Sequence, residues 1–118
     1  LGQLELQQDL LDGAVVVSAA GEVDTASVGE LVTQLREGRS AAATTQRRLL
    51  VVALGEVKYF GSAGLNAVLD CHEQGRAEGV TVRVVAANAE VRRPIEVTRL
   101  DEVLDLYDTV AAATDDRH

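Results

Sequence analysis

Apolar and polar residues alternate in Leu4-Glu5-Leu6-Gln7, as in a strand with one buried face. Leu10-Leu11 then run into Asp12-Gly13, a dipeptide suited to a two-residue hairpin. The apolar run Ala14-Val15-Val16-Val17-Ser18-Ala19-Ala20 predicts a second strand, antiparallel to the first and inside the sheet. Gly21 frees the backbone where that strand ends, and Asp24 or Thr25 can cap the next helix. The period then changes. Val28, Leu31, Val32 and Leu35 recur at helical spacing and predict a helix over 26–36, with Gly38 placed to stop it. Residues 39–48 have the composition of a long loop, or of a helical extension through Ala41-Ala42-Ala43 and then a loop.

The second half repeats the alternation. Leu49-Leu50-Val51-Val52-Ala53-Leu54 reads as a buried central strand. The small-residue turn Gly61-Ser62-Ala63-Gly64 opens a second helix. Its apolar face carries Leu65, Val68, Leu69 and His72, and it ends at Gly75 or Gly79. Val80 to Ala86 is a β-branched strand. Asn88 caps a short helix over 89–98, in which Pro94 predicts a first-turn position or a break. Leu100, Val103, Leu104 and Leu106 lead to a short apolar segment. Asp108 can cap a terminal helix through Val110, and 114–118 read as a frayed tail. The order is β-β-α-β-α-β-α, then a short strand and helix. That predicts a single α/β domain over 1–118, with a mixed, mostly parallel sheet, an N-terminal hairpin and helices packed against the sheet. Ligands or partners meet such a sheet near the C-terminal ends of its strands, where 21–25 and 60–64 both fall.

Composition narrows the functions. Aromatic residues make up 3% of the 118, so no stacking platform for single-stranded nucleic acid is available. The net charge of -8 repels phosphate backbones and anionic membranes and favours partners with basic patches. One cysteine, Cys71, rules out an internal disulfide, and with two histidines it builds no zinc pattern. The N-terminus has no signal-sequence pattern and no apolar run approaches membrane-spanning length, so the expected location is the cytoplasm. No cofactor motif appears: there is no P-loop, dinucleotide glycine pattern or catalytic triad order. A phospho-receiver would need an aspartate at the end of the central strand, where Ala53-Leu54-Gly55 offers none. The expectation is a binding module rather than an enzyme.

Placement singles out the candidate residues. Ser62 is either the cap of the second helix or a modified hydroxyl. Asp24 either caps the first helix or lines a partner site. Ala63, Ala67 and Gln74 lie away from Leu65 and Leu69, on a side that a partner can approach closely. His72 reads as half-buried packing. Cys71 reads as packing or as a redox-sensing thiol. Arg92-Arg93 read as helix solvation.

Gly21-Glu22-Val23-Asp24-Thr25-Ala26, the apolar strand, Phe60-Gly61-Ser62-Ala63-Gly64-Leu65 and the stretch from Val91-Arg92-Arg93 to Leu100-Asp101 resemble the STAS domain of bacterial anti-sigma factor antagonists. The resemblance covers nearly the whole chain. It implies binding to an anti-sigma factor, often a Ser/Thr kinase of histidine-kinase-like ATPase fold, and release of a sigma factor. It also implies that Asp24, Thr25, Gly61, Ser62, Ala63, Gly64, Ala67 and Gln74 contact the partner. In that family the kinase phosphorylates the second hydroxyl of Asp-Ser-Ser-Gly or Asp-Ser-Thr-Gly. Here Ala63 stands at the acceptor position and Gly61 replaces the acidic residue. Binding therefore carries over better than the switch, and Ser62, one residue early, is the phosphorylation candidate. Asp24 matches the acidic residue that the family places beside the phosphosite. The alternatives are a STAS subunit of a larger signalling scaffold, or a STAS domain that binds a small ligand or nucleotide.

Overall fold

The structure, a computed structural model, describes residues 3–115. Its elements are β1 (Leu4–Leu11), β2 (Ala14–Val23), α1 (Val28–Ala43), β3 (Leu49–Phe60), α2 (Ser62–Glu78), β4 (Thr81–Val85), α3 (Ala89–Val97), β5 (Asp105–Tyr107) and α4 (Val110–Thr114), with a 3-10 turn at Leu100–Glu102. The strands lie in sequence order across one sheet. β1 is antiparallel to β2, and β2 to β5 run parallel. This is the mixed α/β architecture expected from the alternation of apolar runs. Asp12 and Gly13 both take the left-handed conformation, at φ 52° and 80°, as a two-residue hairpin turn requires.

The period of two along the strands separates two cores. Val15, Val17, Leu50, Val52, Val82 and Val84 face α1, α2 and α3. Ala14, Val16, Leu49, Val51 and Val85 face the other way, against Ala113 of the short α4. Two arginines fasten α4 there: Arg83 Nη1 donates to Ala113 O at 2.8 Å and Arg47 Nη2 to Thr114 O at 3.0 Å.

Some details differ from what the sequence predicts. α1 does not stop at Gly38 but runs to Ala43, so of the two readings of 39–48 the helical extension through Ala41-Ala42-Ala43 is the one that forms, and 44–48 connect. Gly38 is a contact residue: a Cβ there would lie 2.8 Å from Val17 Cγ2 and 3.0 Å from Leu50 Cδ1. The buried line of α1 is Leu31, Leu35, Gly38 and Ala42, while Val32 is exposed. β3 does not end at Leu54 but continues to Phe60. Two steps along β2, Ser18 to Ala20, match three along β3. The single step from Gly21 to Glu22 then matches two. These bulges keep the chain extended through Gly55-Glu56. Asn88, expected to cap α3, sends its side chain instead to the bulge, where Nδ2 donates to Leu54 O at 3.1 Å and Val57 O at 2.7 Å.

Pro94 neither starts nor breaks α3, which continues through it. The carbonyl left without its donor belongs to Glu90, an exposed residue in the first turn, where the loss is small. Thr109, not Asp108, caps α4 by accepting from Ala112 N–H, and Asp108 pairs with Arg92. Thr114 is buried in α4 rather than part of a tail; Asp116, Arg117 and His118 lie outside the described residues. Among the described residues, no helix is long and apolar enough to cross a membrane.

Candidate partner-docking edge

The end of β2 and the start of α2 meet through one backbone bond. Gly61 N–H donates to Val23 O at 3.2 Å. Gly64 tightens the contact. A Cβ there would stand 2.7 Å from Val23 Cγ1 and 2.8 Å from Phe60 Cε1, so only glycine lets α2 start this close to β2 and β3. The turn that begins at Asp24 is thereby set beside Gly61, Ser62 and Ala63, as their positions past two strand ends implied.

That turn is built by reciprocal hydrogen bonds. Asp24 Oδ1 accepts from Ser27 N–H and Ala26 N–H, each at 3.0 Å. Ser27 Oγ accepts from Asp24 N–H at 3.0 Å and donates to Glu22 O at 2.8 Å. Asp24 thus organises the turn that leads into α1 and is not its cap: the N-cap of α1 is Ser27, which makes no side-chain capping bond. Foremost the Ser27 N–H, then the Ser27 hydroxyl and the Ala26 N–H, hold the Asp24 carboxyl below the ordinary aspartate range, against the opposing effect of burial. A lowered folded-state pKa stabilises above the unfolded value, and that stabilisation is lost as pH falls through the folded value. The urea midpoint of an Asp24→Ala variant should therefore lie below that of the parent above about pH 5, and the gap should narrow on acidification toward about pH 3. A pH-independent gap would contradict this role.

α2 has no side-chain cap. Its N-cap is Gly61, in extended conformation, and Ser62 makes no capping bond. Ser62 is the first helical residue and is exposed, which corrects the reading of it as a cap. The amides of Ser62, Ala63 and Gly64 therefore form a helix start that no side chain closes.

The other candidates separate. Thr25 is exposed beside Asp24, and Ala63 is half-buried. Ala67 is only 7% exposed and belongs to the core, so it offers no surface to a partner. It is buried because α2 rests on the sheet through small residues, Gly64, Ala67, Cys71 and Gly75, as well as Leu65 and Val68. Gln74 is exposed on nearly the same helix line as Ala63, but about 16 Å further along the axis. His72 is half-buried, as expected.

Cys71 is 1% exposed. Burial pushes its thiol up, the neighbouring Arg39 opposes this, and Glu78 adds to it. Arg39 and Glu78 pair with each other at 3.1 Å. A buried, neutral thiol does not suit redox sensing. In native protein it should react with a disulfide reagent at least about a hundredfold more slowly than in urea; equal rates would show an accessible thiol.

The STAS domain model matches residues 5–113. The chain belongs to the STAS domain family. The anti-sigma-F factor antagonist RsfA of Mycobacterium tuberculosis is 33% identical over 102 residues, which span 86% of this chain and 78% of RsfA. The crystal structure of an anti-sigma factor antagonist from Mycobacterium paratuberculosis superposes with a TM-score of 0.84 at 30% identity, covering 94% of this chain and 91% of that one. Phosphorylated SpoIIAA of Bacillus shares the fold, with a TM-score of 0.66 at 15% identity over 92% of this chain and 96% of that one.

In this STAS domain two further residues shape the edge. Tyr59 is 53% exposed, and its hydroxyl lies 3.0 Å from where a Gly61 Cβ would stand. Gly61 thus leaves room for the exposed Tyr59 ring beside the start of α2. Asn66 is exposed one turn beyond Ser62. Tyr59 was hidden because the sequence reading ended β3 at Leu54. The two bulges break the period of two along this part of β3, so that Leu54, Val57 and Phe60 turn inward and Lys58 and Tyr59 lie exposed.

Proposed function

We propose that this STAS domain is an anti-sigma factor antagonist. It docks the edge formed by Asp24, Thr25, Tyr59, Gly61, Ser62 and Ala63 on an anti-sigma factor and so frees a sigma factor. The observation that carries this is the Gly61–Val23 bond, which sets the β2–α1 turn beside the uncapped start of α2. The RsfA relative, named an anti-sigma-F factor antagonist, supports the same reading. Tyr59 is the natural anchor, since exposed aromatics supply much of the energy of small interfaces. Gln74 joins this face only for a partner that runs along the whole of α2.

The partner is a kinase-like anti-sigma factor of the cytoplasm, and the chain itself catalyses nothing. Ala63 carries no hydroxyl, so phosphorylation at that position cannot release the partner. Ser62 is exposed and is the one serine at the helix start that a kinase can reach. Calorimetric titration of anti-sigma factors from the same organism tests the reading: one of them should give a saturable complex, and no heat with any would overturn it. After incubation with that partner and ATP, mass spectrometry should find Ser62 unmodified. Phosphate there together with lost binding would instead establish a switch displaced by one residue.

A further inference from the structure

The sheet has a second face, and α4 covers only part of it. Parallel sheets are ordinarily covered on both sides. Here β2 to β5 are parallel, α1 to α3 lie on one face, and the five residues of α4 lie on the other. α4 covers Ala14, Val16, Leu49 and Val51. Toward the C-terminal ends of β2 and β3 the same face continues as an open groove of about 910 Å³. Ser18, Ala20, Ala53 and Val85 form its floor, and Val110 of α4 forms one wall. The strand register aligns this floor, with Gln7 opposite Ser18, Ser18 beside Ala53 and Ala53 beside Val85. Ser18, Ala20 and Ala53 are half-buried, so the floor is small-residued and partly wetted.

The rim is acidic. Glu5 is paired with Ala20 across β1–β2, and Ala20 with Glu56 across β2–β3, so two exposed carboxylates flank one end of the floor. No lysine or arginine is among the described residues that line the groove. The net charge of -8 disfavours a second copy of this chain, and acidic partners generally, as the occupant.

We propose that this groove receives an amphipathic helix of another protein, with an Ala/Leu stripe on the floor and Lys or Arg against Glu5 and Glu56. α4 is the precedent, because it seats Val110 and Ala113 on the adjoining half of the same face. The site lies on the face opposite α2, so a partner here leaves the docking edge at Asp24 and Ser62 open.

The test uses the isotope-labelled full chain and two synthetic helical peptides about five turns long. Both carry a Leu/Ala stripe; one is flanked by lysines, the other by glutamates. The lysine peptide should shift the amides of Ser18, Ala20, Ala53 and Gly55 saturably, and the glutamate peptide should not. The paired variant Glu5→Lys/Glu56→Lys changes only exposed side chains and should weaken the lysine peptide at least about tenfold. Ala53→Arg, if it folds, should block binding. Shifts at Ser62 and Ala63 instead, equal binding of both peptides, no saturable shift, or self-association of the chain through this face in sedimentation would each overturn the proposal.

Discussion

Replacing Gly21 by alanine should destabilise the domain by about 2–5 kcal/mol and detach the first strand. Gly21 sits at φ 115°, outside the range that side-chain-bearing residues favour. A Cβ there would lie 2.1 Å from Gln3 O and 3.1 Å from Gln3 C. These are backbone atoms, so no rotamer change relieves the clash. Gln3 O also accepts from Glu22 N–H at 3.0 Å, and Leu4 pairs with Gly21 at the start of the β1–β2 ladder. Moving either strand away loses that bond and the pairing beside it. Gly29→Ala is the control. It lies in the first turn of α1, and nothing stands within 4 Å of its added Cβ. There the same substitution should stabilise by up to about 1 kcal/mol, because alanine costs less helix entropy than glycine. Urea denaturation should move the two midpoints in opposite directions. A Gly21→Ala midpoint at the parent value would show that β1 is not held as described.

Ala63→Asp should abolish docking while leaving the fold intact. Ala63 is half-buried in the first turn of α2, where a carboxylate interacts favourably with the helix N-terminus. The melting temperature should therefore hold or rise slightly. Binding should fall by about a hundredfold, because the new charge would be desolvated against the partner and would stand beside the Asp24 turn. The opposite signs of the two effects separate lost contact from lost structure. Unchanged affinity would remove the start of α2 from the interface. Ala67→Arg cannot serve the same purpose, since Ala67 is core.

Much of this fold is legible in the residue order because each strand is a separate apolar run and each helix comes after a polar turn. What stays hidden depends on long-range packing. Gly38 looks like a helix stop and is instead where α1 touches Val17 and Leu50, residues of two strands distant in sequence. Gly55-Glu56 looks like a strand end, yet the bulges and the Asn88 amide keep β3 going. At the docking edge, the pairing of 21–25 with 60–64 is readable from their places past strand ends. The burial of Ala67 is not. A wheel drawn on leucine and valine misses a helix that settles on Gly64, Cys71 and Gly75. Asp24 is ambiguous in sequence because a cap and a partner contact use the same carboxylate; in the structure two backbone N–H groups, of Ala26 and Ser27, tie that carboxylate into the turn before α1.

The proposed function requires that this domain take an anti-sigma factor away from its sigma factor through the Asp24–Ala63 edge. A preformed complex of the cognate sigma and anti-sigma factors, titrated with this chain in a transcription assay, tests it most directly. Transcription should return as the chain is added, and the Ala63→Asp variant should fail to restore it at the same concentration. A complex that keeps its sigma factor at saturating chain, or an Ala63→Asp variant as active as the parent, would contradict the account.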